Sequence, residues 1–152
     1  MKKNVLTILL GAAMALIAFQ ACEDDGNETK ISSYNSDESH KAGQDCMICH
    51  VSGGDGEGWF TIAGTIYESG LTSVLPNATV KLFTEANGAG DLVARVEVDE
   101  KGNFYTTKVI DFGTGLYTLV EGNTTTKNMH SSITSGKCNS CHGVSADRIW
   151  TE

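Results

Sequence analysis

Val93-Ala94-Arg95-Val96-Glu97-Val98 is a stretch in which every second residue is apolar, and Val80-Lys81-Leu82 shows the same alternation earlier in the chain. Successive side chains of a β-strand point to opposite faces of a sheet, so this alternation predicts strands that are buried on one face. The two stretches therefore favour a β-sheet that covers a core.

The same character continues through residues 59–121, where β-branched and aromatic residues form short runs. Turn residues separate the runs at intervals of roughly a dozen residues, which is typical of an all-β sandwich. These turn signals are Pro76-Asn77, Asn87-Gly88-Ala89-Gly90, Lys101-Gly102-Asn103 and Phe112-Gly113-Thr114-Gly115. We predict strands near residues 59–67, 78–83, 92–98, 103–108 and 115–120. The predicted fold class is mainly β, a β-sandwich of six or seven strands.

Four motifs in this middle section follow a familiar order. They are Gly64-Thr65-Ile66-Tyr67, Leu75-Pro76-Asn77-Ala78-Thr79-Val80-Lys81-Leu82, Asp99-Glu100-Lys101-Gly102-Asn103-Phe104-Tyr105 and Gly115-Leu116-Tyr117. The order resembles the Ig-like, transthyretin-like sandwich of carboxypeptidase-regulatory-like domains. That resemblance implies a scaffold without catalytic groups, which contacts other proteins or sugars.

The start of the chain predicts export. Lys2 and Lys3 precede an apolar run over residues 5–19, so residues 1–21 are interpreted as a signal peptide. A retained membrane anchor is the alternative, although the run is short for a membrane span.

Cys22 directly follows this leader. Phe19-Gln20-Ala21-Cys22 resembles the lipid-attachment motif of bacterial lipoproteins, with departures at Phe19 and Gln20, and the following Glu23-Asp24-Asp25 resembles their acidic surface-export signal. The resemblance implies a lipid on Cys22 and a place at the outer membrane or cell surface. The alternative is an incidental leader cysteine before an acidic linker.

Residues 22–38 are polar and lack a hydrophobic period, so we predict a tether there. Without Lys2 and Lys3, 9 basic residues remain against 19 acidic ones. This balance, without a basic cluster, excludes nucleic acid as a partner and favours basic partners or simple solubility.

The strongest chemical signal is a motif that occurs twice, as Cys46-Met47-Ile48-Cys49-His50 and as Cys138-Asn139-Ser140-Cys141-His142. C-x-x-C-H is the attachment motif for c-type haem. The two cysteines form thioethers with the haem, and the adjacent histidine binds the iron. We therefore predict two covalent c-type haems, in segments 39–58 and 122–152, which we expect to be irregular or briefly helical.

The two remaining histidines, His40 and His130, each precede one motif by a short distance. This arrangement resembles multihaem cytochromes and implies bis-histidine iron, with His40 and His50 at the first haem and His130 and His142 at the second. Crossed pairs and ligands from another copy of the protein stay open. Met129 is the rival ligand at the second haem, where methionine would raise the potential.

These features predict an electron-transfer protein, not an enzyme, because six-coordinate irons leave no position for substrate. Its partners would be redox proteins as donor and acceptor and a membrane through the lipid. The chain ends would lie either at one pole, with the haems as a pair, or at opposite poles, where copies could associate head to tail.

Two other classes of function remain. An open iron would make the protein a haem peroxidase or a small-ligand sensor. Zinc on the cysteines would make it a surface adhesion or glycan-binding β-sandwich, and a redox dithiol is a further alternative for the cysteine pairs.

Overall fold

The computed structural model describes residues 26–152, which form seven short strands and three 3₁₀ turns. The strands are β1 (Ile62–Thr65), β2 (Thr79–Phe83), β3 (Leu92–Glu97), β4 (Asn103–Thr106), β5 (Tyr117–Glu121), β6 (Thr126–Asn128) and β7 (Gly136–Lys137). The 3₁₀ turns are Cys46–Ile48, Ala86–Gly88 and Cys138–Ser140.

The strands form two sheets that enclose the core. One sheet has the order β4-β1-β7 and the other has the order β3-β2-β5-β6. Ile62 and Phe104 of the first sheet are buried against Val80, Leu82 and Val120 of the second. The prediction of a mainly β sandwich with irregular and 3₁₀ segments beside it is confirmed.

The five predicted strands correspond to β1–β5, with β1 shorter than expected at both ends. The sheets also continue into segment 122–152. There β6 pairs antiparallel with β5, and β7 pairs parallel with β1. The sequence missed β6 and β7 because they are short and their residues are mostly exposed, so they show no apolar alternation.

Residues 26–38, the described part of the predicted tether, differ from a free linker because they lie along the sandwich. Ile31 forms a bridge with Thr106, and Ser32 is buried. The Ser32 amide donates to the Tyr105 carbonyl at 3.0 Å, and its hydroxyl donates to the Glu97 carbonyl. Hydrogen bonds, not apolar burial, hold this segment, which is why its composition did not reveal the contact.

The predicted signal peptide (residues 1–21) and the lipid-bearing Cys22 lie outside the described residues. Within residues 26–152, no helix is long and apolar enough to cross a membrane.

Candidate functional site

The two C-x-x-C-H motifs fold into the same local structure, which we call the first cysteine turn (residues 46–50) and the second cysteine turn (residues 138–142). In each, the amides of the second cysteine and of the histidine donate to the carbonyl of the first cysteine, at 3.2 and 3.0 Å. All four thiols are free. The turn therefore presents two thiols and one imidazole on a short, defined backbone.

Both histidines of these turns are held by the same kind of contact. His50 Nδ1 lies 3.0 Å from the Glu57 carbonyl oxygen, and His142 Nδ1 lies 2.7 Å from that of Asp147. A carbonyl only accepts, so Nδ1 must carry the proton in each ring. This outer contact fixes the tautomer and leaves Nε2 as the nitrogen that can bind a metal.

The glycine-rich loop after the first cysteine turn packs on the His50 ring. The Gly56 amide donates to the Cys49 carbonyl at 3.0 Å, and a Cβ at Gly56 would lie 2.7–2.9 Å from ring atoms of His50. The sequence suggested a flexible linker here. A run of glycines beside a candidate ligand was the signal for this close backbone approach.

The first cleft lies in front of the first cysteine turn and has a volume of about 330 Å³. Its lining includes His40, Cys46, Cys49 and His50. Cofactor sites commonly enclose about 300–1,000 Å³. The structure thus brings all four predicted residues of the first haem site to one cleft.

The rings of His40 and His50 both line this cleft, with centroids 5.9 Å apart and ring planes tilted by 36°. Two imidazoles that share a metal at bond lengths of about 2 Å would have ring centres separated by about 6 Å. Phe60 stacks on the His50 ring, with 4.1 Å between centroids, and so restricts the ring. The histidine pair fits a bis-histidine iron.

Charged groups of both signs line the first cleft. Lys30 and Lys41 lie there with Glu38, Asp45 and Glu57. Lys30 forms an ion pair with Glu57 at 3.0 Å, which raises the pKa of Lys30 and lowers that of Glu57. Carboxylates thus outnumber ammonium groups around this site.

The second cleft lies in front of the second cysteine turn and has a volume of about 530 Å³. Cys138, Cys141 and His142 line it, with core residues such as Phe104 and Val120. The two cysteines and the proximal histidine predicted for the second haem therefore share one cleft, whose wall is the apolar interior of the sandwich.

The charge of the second cleft is opposite to that of the first. Lys127 and Lys137 line it, and its lining within the described chain contains no carboxylate. Lys127 Nζ lies 3.8 Å from the centroid of the Trp150 ring, a cation–π contact that holds both side chains at the cleft wall.

The distal residue of the second cleft differs from the one expected. Met129 lines the cleft, whereas His130 is exposed and lies outside the lining. The prediction that His130 binds the second iron with His142 stays a prediction, and the structure places its rival Met129 in the cleft that His142 lines. The reason is local: Met129 continues the β5–β6 pairing, since its amide donates to the Thr118 carbonyl at 2.9 Å, and His130 follows in a bend.

Asn139 joins the two cysteine turns. Its Nδ2 donates to the Gln44 carbonyl at 2.9 Å and to Thr65 Oγ1 at 3.0 Å, and its Oδ1 accepts from the Thr65 amide at 3.2 Å. Gln44 lies two residues before Cys46, so Asn139 connects the approach to the first cysteine turn with Thr65 of β1. The two cysteine turns thus lie at one pole of the described sandwich, which corresponds to the first of the two arrangements that the sequence left open.

The close approach of the second cysteine turn to β1 requires a glycine. A Cβ at Gly64 would lie 2.6 Å from Phe104 Cζ and 3.0 Å from Cys138 Cβ. Burial in this contact, and then the nearby charge of Cys46, raises the pKa of Cys138 to about 12. The pKa of the Cys46 thiol is also raised by burial, but Cys138 is the thiol that keeps its proton to the higher pH.

A single metal held by protein side chains alone finds no support in this geometry. Within residues 26–152, no group of three or more His, Cys, Asp or Glu side chains is placed to hold an ion.

No protein-family model, curated protein or solved structure matches the chain. The geometry of the two clefts is therefore the basis for the functional argument.

Proposed function

We propose that this protein is an exported dihaem c-type cytochrome that transfers electrons and does not catalyse a reaction. The observation that supports this most directly is the pair His40 and His50, whose ring centroids lie 5.9 Å apart beside a turn with two free thiols. A structural histidine pair would not need those thiols, and a zinc site would need more ligands around one ion.

Each group around the first cleft has a defined task in this proposal. Cys46 and Cys49 would hold the haem covalently, and His50 and His40 would bind its iron. The bound haem supplies reversible one-electron chemistry, which the protein itself lacks. The Glu57 carbonyl keeps His50 Nε2 directed at the cleft, and Phe60 shields that ring from water.

The second cleft has a matching attachment side. Cys138 and Cys141 would hold the second haem, and His142, held by the Asp147 carbonyl, would bind its iron. The apolar wall formed by Phe104 and Val120 would cover the haem, which explains why a cleft of this size opens into the core.

The proposed partners follow from charge and from the leader. Donor and acceptor would be one-electron redox proteins, with basic faces to match an acidic chain of net charge −8. A lipid on Cys22 would hold the protein at the outer membrane or cell surface. Because both cysteine turns lie at one pole, the haems would act as a pair within one molecule, and the head-to-tail association that opposite poles would allow is not part of this proposal.

A haem sensor or peroxidase is the second candidate. It is favoured by one observation, the position of His130 outside the second cleft. If no other side chain bound the second iron, that iron would accept small ligands. Carbon monoxide or cyanide binding to half of the haem would then be seen.

The deciding experiment is expression of the full chain in a host that matures c-type haem, followed by intact mass and visible spectroscopy. We expect two added haem masses and a sharp reduced spectrum. The double variants C46A/C49A and C138A/C141A should each lose one haem. A colourless protein at the bare polypeptide mass would contradict the proposal, and bound zinc would replace it with the adhesion alternative.

The lipid anchor is tested separately. Cys22→Ser should release the protein from the membrane fraction while leaving its haem content unchanged. Unchanged membrane fractionation would remove the anchor from the account.

A further inference from the structure

We propose that Met129 is the distal ligand of the second iron. The two sites then differ in ligation, and the second iron has the higher reduction potential and holds the electron at equilibrium. This inference rests on the proposed dihaem function. It replaces His130, the ligand expected from the sequence, with its neighbour.

The register of the β5–β6 ladder places Met129 at the cleft. Val120 pairs with Lys127 and Leu119 pairs with Asn128, and the bond from the Met129 amide to Thr118 continues this register by one residue. Alternate residues of a strand share a face, so Met129 shares its face with Lys127 and with the cleft residues Thr118 and Val120. A one-residue change of register would be needed to exchange Met129 for His130.

The chemistry of the lining favours the same residue. A thioether is a soft ligand of the kind that pairs with histidine in cytochromes. The basic side chains at the wall, Lys127 and Lys137, end in ammonium groups, and the ammonium group of Lys127 already contacts the Trp150 ring. The Thr118 hydroxyl lines this cleft and is buried without a partner within the described residues, so a group bound in the cleft could supply its missing hydrogen bond.

Ligation and charge then act in the same direction on the reduction potential. Replacing a histidine by methionine raises the potential. The second cleft has Lys127 and Lys137 without a carboxylate in its described lining, whereas the first has three carboxylates against Lys30 and Lys41. Positive surroundings favour the reduced iron, which carries one positive charge fewer.

Electron flow follows from this difference. A donor protein would reduce the first iron by one electron. The first iron would pass that electron to the second iron and become oxidised again, and the second iron would then reduce a one-electron acceptor protein. The bond between Asn139 and the Gln44 carbonyl keeps the two cysteine turns adjacent, so this step occurs within one molecule.

The test compares holoprotein of the parent chain with Met129→Leu, Met129→His and the control His130→Gln. Leucine has similar volume and no sulfur, so the fold is retained. In the parent we expect the far-red absorption band of iron–methionine ligation and a strongly upfield-shifted methionine methyl in the NMR spectrum. Met129→Leu should lose both signals and bind carbon monoxide at half of its haem.

The remaining variants sharpen the result. Met129→His should restore a six-coordinate iron and lower one of the two redox midpoints by more than about 59 mV, a tenfold change for a one-electron couple. His130→Gln should leave the spectrum and both midpoints unchanged.

A Met129→Leu spectrum identical to the parent would overturn the assignment of Met129, as would loss of a ligand signal in His130→Gln. Two haems of equal potential in the parent would overturn the directional step. Absence of covalent haem in the parent would instead defeat the proposed function, and this inference with it.

Discussion

The two clefts share one attachment turn but have different opposite walls. In the first cleft, the facing residue His40 and the loop that contains Gly56 both lie within a few residues of the cysteine turn. In the second, the facing residue Met129 comes from the end of β6, and the turn itself is placed by the parallel pairing of β7 with β1. Residues near its own turn build most of the first site, with Asn103 of β4 holding the segment that contains His40, whereas the two sheets supply most of the wall of the second site.

This difference determines how each site responds to damage. A change in the core should affect the second site first, because its walls are the two sheets. A change in the loop of residues 52–58 should affect the first site alone. Substitutions that separate the two sites therefore test the comparison directly.

The largest effect is expected for Gly64→Ala. The added methyl group would collide with the Phe104 ring and with Cys138, both of which are fixed by the core. We expect a loss of about 3 kcal/mol in the free energy of unfolding and poor attachment of the second haem. Chemical unfolding and haem content by mass spectrometry measure the two effects.

Gly70→Ala is the matched control, because a Cβ at Gly70 would make only an ordinary van der Waals contact, 3.8 Å from Thr72 Oγ1. It should behave like the parent chain. Equal losses of both haems in Gly64→Ala would show that the two sites form as one unit, against the comparison.

The next effect is expected for Asn139→Ala. The change removes three hydrogen bonds and leaves the buried Thr65 amide without its acceptor. An unsatisfied buried group costs about 1–3 kcal/mol, so we expect a loss of about 2 kcal/mol in unfolding free energy. Electron exchange between the haems should slow, because the contact between the cysteine turns is broken.

The exposed Asn123→Ala provides the control for this substitution. Flash photolysis can follow exchange between the sites, and urea unfolding gives the stability. Exchange at the parent rate in Asn139→Ala would mean that Asn139 does not set the distance between the sites.

A third effect depends on pH in the haem-free protein. The pKa of Cys138 is raised from its ordinary value of 9.0 to about 12, chiefly by burial. Below pH 9 both the folded and the unfolded chain hold this proton. Above it the unfolded chain releases the proton while the folded chain retains it, so stability falls as the pH rises toward 12.

We expect this group to contribute a loss of about 1 kcal/mol at about pH 10. Cys138→Ala should remove that part of the pH dependence, whereas Cys141→Ala, an exposed position, should retain it. Urea unfolding at several pH values checks the difference. Identical pH profiles for the two variants would show that the second cysteine turn is not packed before haem attachment.

The sequence predicted the main strands, the cysteine turn of each site and His40 beside the first, but it did not decide between Met129 and His130 at the second. Residues within the motif itself determine the structure of a cysteine turn. The apolar alternation of Val93-Ala94-Arg95-Val96-Glu97-Val98 indicates a strand that is buried on one face. The choice between Met129 and His130 depends on the register of a short polar strand, which carries no apolar pattern. The role of Asn139 depends on a contact with Gln44 across 95 residues, which no local pattern indicates.

The smallest effect on stability, and the one most specific to a single site, is expected for Gly56→Ala. The new methyl group would contact the His50 ring at 2.7–2.9 Å, and the exposed loop can yield at a cost below about 1 kcal/mol. The ring must then turn or shift, which weakens its bond to the Glu57 carbonyl and changes the angle between His50 and His40. Electron paramagnetic resonance of the holoprotein should show one altered iron signal and one unchanged signal. Gly70→Ala should leave both unchanged. A shift of the second signal in Gly56→Ala would mean that the two sites are coupled through the sandwich, and it would contradict the comparison between them.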